Sequence, residues 1–210
     1  MQIFLVVFSF IGFETAFLSS IYTSCLNATN LLINGNEAIL AYNILFIGFG
    51  EIIAGLCFGA GFAVLKGLRS LSIVIIGTAF LFLAYLLSFL NLPAYSTIGP
   101  TNQTGVLYPT LGISLANSFF IGIGDSCWQT QIYPMMGQLF DGSPTAFAIQ
   151  QFFLTFSSAA PFLYGSVLLL PYQILILAIM LLLATTAFIY LSGYTNLSHN
   201  YGATVEAVPE

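Results

Sequence analysis

The residues best suited to chemistry lie in one stretch, Gly122-Ile123-Gly124-Asp125-Ser126-Cys127-Trp128-Gln129-Thr130-Gln131. It places an acid, two glutamines and the only tryptophan inside an apolar segment of a chain that is 4% charged. Glu14 and Glu51 occupy similar oily surroundings. An ionisable group at the centre of a bilayer costs about 2.5–3.5 kcal/mol even on the lenient insertion scale, so each acid needs a partner or a task. A proton, hydrogen bonds or a group on another segment must neutralise it. No nucleophile and base stand together, so no catalytic residue and no enzyme activity are expected. Cys25, Cys57 and Cys127 fall in separate segments without a CxxC, and His199 is alone in a polar tail, so no metal site and no cofactor are expected.

The elements that position these residues follow from composition. With 59% apolar residues, 16% aromatics and two basic residues, the chain cannot cover a water-facing surface. The lipid bilayer is its first partner, and without a basic patch no nucleic acid is expected. Six apolar runs, at roughly 3–25, 38–63, 71–92, 110–133, 145–170 and 172–193, each approach the length that crosses ~30 Å of hydrocarbon. The first begins MQIFLVVFSF, without a basic n-region or small-residue cleavage site, and reads as a span, not a signal peptide. Residues 1–193 thus form one transmembrane domain and 194–210 a polar, irregular tail. Ser143 or Asp141 is placed to cap the helix that Pro144 begins. Pro171 separates the last two spans so tightly that they are expected to form a hairpin.

Orientation rests on Lys66 and Arg69, which share the short second loop and place it in the cytosol. Both termini are then cytosolic, and the first and third loops lie outside. The sequons beginning at Asn27 and Asn102 fall in those outside loops and are candidate glycosylation sites, whereas Asn196 is cytosolic. Plasma membrane and endomembrane are not distinguished.

Helical periodicity sorts the intramembrane polar residues. Gly48, Glu51, Gly55 and Gly59 share a face of the second span, and Gly55–Gly59 is a GxxxG pair that lets a helix approach closely. Glu51 is expected between helices, either as a hydrogen-bonded structural acid or as a cavity group. In the fourth span Ser114, Ser118, Asp125 and Gln129 share a face, with Asn117 and Trp128 at its edge. That face either packs helices or lines a cavity. Gly122 and Gly124 are expected to loosen the helix, and Pro134 to kink it. In the fifth span Gln150 and Ser157 share a face near Pro161 and are expected to bond to another helix. Glu14 projects with Phe10, Phe17 and Ile21, opposite the small stripe Ser9, Gly12, Ala16, Ser19 and Thr23. Either its face meets another helix or the helix is enclosed on both sides.

GIGDSCWQTQIY, followed by AFAIQQFF and PYQILIL, resembles the carboxyl-terminal half of the uncoordinated-93 family within the major facilitator superfamily. FIGFGEIIAGLCFG is similar to that family's eighth helix, and FIGFETAFLSSIYTSCLNAT to its seventh, sequon included. The resemblance covers nearly the whole chain. It implies an all-α membrane protein whose six transmembrane helices make one half of a twelve-helix transporter, with a central cavity between halves. Gln151 stands where relatives tend to carry a lysine, and the basic loop motif is reduced to KGLR; both departures count against coupled transport.

Two functions follow from the resemblance. One is a transporter-derived protein whose cavity is lined by Glu51, Ser114, Ser118, Asp125, Gln129 and Gln150. The other is a non-transporting regulator or trafficking accessory of an ion channel or receptor. A half-bundle would expose its polar face to lipid, so a second six-helix half is the expected partner. It could be another copy, a separately made amino-terminal half, or the rest of a longer protein.

Overall fold

In hydrocarbon every backbone N–H and C=O must pair within the protein, so long apolar runs fold as helices. The computed structural model describes residues 2–33, 38–59, 70–140 and 142–206, with side chains as far as residue 193. Its helices are α1 (Gln2–Ala16), α2 (Tyr22–Ala28), α3 (Asn30–Ile33), α4 (Ile39–Phe58), α5 (Ser70–Asn91), α6 (Leu111–Leu139), α7 (Pro144–Tyr164) and α8 (Leu170–Glu206). A π turn, Phe17–Ile21, joins α1 to α2 without breaking the rod, and a 3-10 turn, Ala94–Thr97, follows α5.

Among the described residues, five segments are long and apolar enough to cross a membrane: Ile3–Ala28, Ile39–Phe58, Ser70–Asn91, Pro144–Tyr164 and Leu170–Gly193. The expected fourth span is α6, whose 29 residues rise ~43 Å. It is long enough, yet its polar residues keep it outside that set. Its neighbours explain how it tolerates them. α6 packs along α4 and α5, and Trp128 meets Phe10 of α1 and Phe188 of α8. The chain is otherwise inside-out relative to a water-soluble bundle: Ile44, Phe49, Ile52 and Leu56 of α4, with Phe82 and Leu86 of α5, are exposed. Such a surface suits lipid.

Several expected boundaries move. α7 stops at Tyr164, six residues short of the expected 170: Gly165 still donates to the Pro161 carbonyl (2.7 Å), and the chain then turns as Val167 N and Leu168 N both donate to the Tyr164 carbonyl (3.0 and 2.8 Å). α7 and α8 do not form a packed hairpin. Both pack on α1 instead, since Gly12 admits α7 so closely that a Cβ there would meet the Leu154 carbonyl. Gln173 fastens the intervening turn by donating to the carbonyls of Gly165 (3.0 Å) and Leu168 (2.5 Å). α8 runs through the expected irregular tail as far as Glu206. Ser143 takes the N-cap position of α7 but forms no side-chain cap bond, and Asp141, the alternative cap, lies outside the described residues. α6 passes through Pro134 as one continuous helix.

At one end of the bundle the first and third loops join. Thr101 N donates to Ala28 O (2.8 Å) and Asn30 N to Thr101 O (3.1 Å), making a short parallel bridge. Asn30 Nδ2 also donates to Asn102 Oδ1 (2.9 Å), so the two sequons are neighbours.

Candidate functional site

α6 organises the site because its small and polar residues point in three directions. Gly122 lies against α4, where a Cβ would strike the Ile47 carbonyl, and Gly50 of α4 answers it against the Phe119 carbonyl. Gly124 lies on the α5 side, where a Cβ would come 2.6 Å from Leu81 Cδ2, opposite Gly77. The two glycines therefore do not loosen α6. They let two helices approach it from opposite sides, since residues two apart on a helix project about 200° apart. Asp125, one position further, turns between those contacts.

The close α4 contact is not the one expected from GxxxG. The buried positions of α4 are Ile39, Asn43, Ile47, Gly50 and Ala54. Gly48 has nothing within 4 Å of its Cβ direction, and Gly59 meets only its own helix. The expected stripe is thus rotated off the interface by about one residue. Its acid follows: Glu51 is half-buried and lines a cleft of about 350 Å3 with Gly48, Ile44 and Ile47 of α4, Thr23 of α2, and Leu18 and Ser19 of the π turn.

Behind that wall, Asp125 is 5% exposed and accepts a hydrogen bond from Gln129 Nε2 (2.7 Å). The Ser126 hydroxyl donates to the Glu51 carbonyl (3.1 Å), tying α6 to the cleft wall. Asp125 is within electrostatic reach of both Glu51 and Glu14. Glu14 is 1% exposed, its Oε2 accepts from the Tyr85 hydroxyl of α5, and its Oε1 has no partner. Of the two alternatives for α1, enclosure on both sides is the observed one: Phe10, Glu14, Phe17 and Ile21 are buried, and Gly12 is pressed on α7.

Ser114 and Ser118 serve a different end of α6. Ser118 Oγ is 2.7 Å from Asn43 Oδ1 and 2.9 Å from the Ser114 carbonyl, and Asn43 Nδ2 donates to Thr23 Oγ1 (3.0 Å). Ser114 Oγ accepts from Asn91 Nδ2 (2.9 Å), and its carbonyl accepts the Tyr22 hydroxyl (2.7 Å). Asn117 Nδ2 donates to Ser88 Oγ (2.8 Å). These bonds knit α2, α4 and α5 to α6, and both serines are fully buried. Gln150 is buried in α7 with Nε2 unpartnered, contrary to the expected interhelical bond, and Ser157 rests against Gly12. Lys66 and Arg69 lie outside the described residues.

Tyr85, Asn43 and Asn91 carry no charge and do not stand out in the sequence. A buried phenol or amide also needs a partner; Tyr85 and Asn43 lie within apolar runs, and Asn91 ends α5.

The described residues hold no group of three or more His, Cys, Asp or Glu side chains that could ligate a metal. Comparison with known proteins adds identity to this geometry. No solved structure matches the chain. UNC93-like protein MFSD11 of Xenopus laevis is 31% identical over 193 residues, covering 88% of this chain and 42% of the relative; that of Xenopus tropicalis gives the same figures. The chain therefore spans less than half the length of these curated relatives. The family model described as "Ion channel regulatory protein UNC-93" matches residues 1–189, and the chain belongs to the UNC-93 family.

Proposed function

We propose that the chain is a six-span helical half of a major-facilitator-type transporter, whose cleft between the π turn and α4 forms one wall of a polar pathway. The observation that carries this is Glu51 on the cleft wall with the Asp125–Gln129 pair directly behind it. A carboxyl half open to a cleft and coupled to a buried one is an economical structural device only if something polar enters the cleft. α6, fourth in chain order, completes the six spans, sheathed by apolar neighbours, and a second six-helix half covers the cleft side. No enzymatic role is proposed. An uptake screen of labelled metabolites in proteoliposomes tests the proposal, using the full protein that contains this chain. Uptake is expected in wild type and lost in Glu51→Gln and Asp125→Asn at unchanged expression. Uptake that survives both substitutions defeats it.

The family model's description favours a second reading, in which the protein regulates an ion channel. Its contact surface would include the exposed, stacked Phe152 and Phe156 of α7 (6.0 Å). Co-purification of a channel that is lost on Phe156→Ala and indifferent to Glu51→Gln would establish that role instead.

The end bearing both sequons faces the outside or a lumen in this proposal, with the termini cytosolic. Asn102-Gln103-Thr104 is exposed in a non-helical loop, whereas Asn27 is helical and Thr29 is buried with its hydroxyl bonded to Cys25 O (2.8 Å). Asn102→Gln is expected to remove most of the glycosidase-sensitive mobility shift, and Asn27→Gln little of it. A shift that depends on Asn196 overturns the orientation.

A further inference from the structure

We propose that Glu14 is a proton-binding site, and that its proton latches α1 to α5 and thereby holds the π turn that forms one side of the cleft. This rests on the cleft assigned above. Glu14 has a single donor, the Tyr85 hydroxyl, and an oxygen with no partner, in a pocket closed by Phe17 edge-on to Tyr85 (5.8 Å). Among the residues whose side chains are described there is no lysine, arginine or histidine to serve as a counterion. Both basic residues of the chain precede Ser70, where α5 begins, and Tyr85 lies ~22 Å of helix rise beyond it. A carboxylate here would face one neutral donor and, across to α6, a second acid; a protonated carboxyl keeps the Tyr85 bond without that repulsion.

The ligand is a proton and not a metal ion. Hard cations take six or more oxygens, and this pocket offers the Glu14 carboxyl and one phenol. The groups facing it are Tyr85 from α5 and Asp125 from α6, while the titratable Tyr164 of α7 contacts the adjacent Phe13 (6.3 Å). In its apolar stretch α8 contributes only Tyr172 and Tyr190, both exposed. From α4, Glu51 acts through Asp125.

The output is geometric. Leu18 lies one helical turn from Glu14, on the π turn and on the cleft wall. π turns are rare, are spaced wider than α turns, and concentrate at functional sites. Thr23 Oγ1 donates to the Leu18 carbonyl (3.1 Å) and Ser19 Oγ to the Thr15 carbonyl (2.6 Å), so the turn is held from the cleft side by two side-chain bonds. Loss of the Glu14 proton to water leaves an unpaired buried anion. Rotation of α1 at the π turn brings that anion toward the cleft and exposes Leu18.

Two measurements on the full protein in nanodiscs test this. In pH-difference infrared spectra, a protonated-carboxyl band is expected in wild type, absent in Glu14→Gln and shifted in Tyr85→Phe. In a Cys57→Ser background, Leu18→Cys is expected to react several-fold faster with a polar thiol reagent at mildly alkaline than at mildly acidic pH, relative to unfolded protein. Adding Glu14→Gln should hold the rate low and flat, and Tyr85→Phe should raise it at acidic pH. A band unaffected by Glu14→Gln, or rates that rise alike with and without it, overturns the proposal. Ser19→Cys, already exposed on the cleft, separates the two readings. If it is unlabelled at every pH, the cleft assignment fails, while the infrared comparison still decides whether Glu14 holds the proton.

Discussion

The two halves of α6 solve the same problem in different ways. Around Ser114, Asn117 and Ser118, polar side chains meet amides and hydroxyls from α2, α4 and α5, and nearly every donor finds an acceptor. Around Gly122–Gln129, α4 and α5 approach on glycines, and the acids between them have one donor each: Gln129 for Asp125 and Tyr85 for Glu14. A densely bonded network, with Asn117 Oδ1 left unpartnered, fixes one arrangement. Close apolar contact beside under-bonded acids leaves a group whose state can change. Polarity near the sequon end is therefore structural, and polarity in the middle of the bundle is available for function.

The sharpest break in that contrast comes from the glycines. Gly122→Ala drives a Cβ into the Ile47 backbone, which cannot yield without separating α4 from α6. Overpacking of this kind costs about 1–3 kcal/mol or more, so a large drop in thermal stability in detergent is expected. Gly124→Ala meets the Leu81 side chain, which can rotate, and a smaller drop is expected. Gly48→Ala has open space and should be silent. If Gly48→Ala is as damaging as Gly122→Ala, the assigned α4 face is wrong.

Next come the bonds of the satisfied half. Ser118→Ala leaves Asn43 Oδ1 without its donor. Interhelical hydrogen bonds in membranes average about 0.6 kcal/mol, so a modest loss in thermal stability is expected, with Asn43→Leu costing more because it removes the bonds to both Ser118 and Thr23. A double variant that loses no more than Asn43→Leu alone would place both residues in one network.

The smallest expected effect on stability is at Asp125. Asp125→Asn keeps the size and the bond to Gln129 and removes a charge, so unfolding temperature should barely move while any transport is lost. Asp125→Leu removes the only acceptor offered to Gln129 Nε2 and is expected to reduce trafficking and yield. A Leu variant that is made, trafficked and as stable as wild type would show that Asp125 belongs to no bonded pair.

The sequence by itself determined the class, the approximate spans and the residues that demanded explanation. An acid or a serine stripe in an apolar run is conspicuous because hydrocarbon supplies no hydrogen bonds, and that physics needs no neighbour. The Asp125–Gln129 pair, four residues apart, was legible for the same reason, since i and i+4 always share a helix face. The neighbours were not legible. Periodicity gives the faces of a helix but not which face meets which helix, so Gly48, Gly55 and Gly59 read as the packing face until the position of α6 chose Gly50 instead. Likewise only the packing of α1 on α7 and α8 showed that Gly12 and the bulky face of α1 are both covered, and only the fold showed that Glu14 meets Tyr85, 71 residues away in the chain. Such contacts depend on side chains whose separation in sequence carries no period, and the tertiary structure alone decides them.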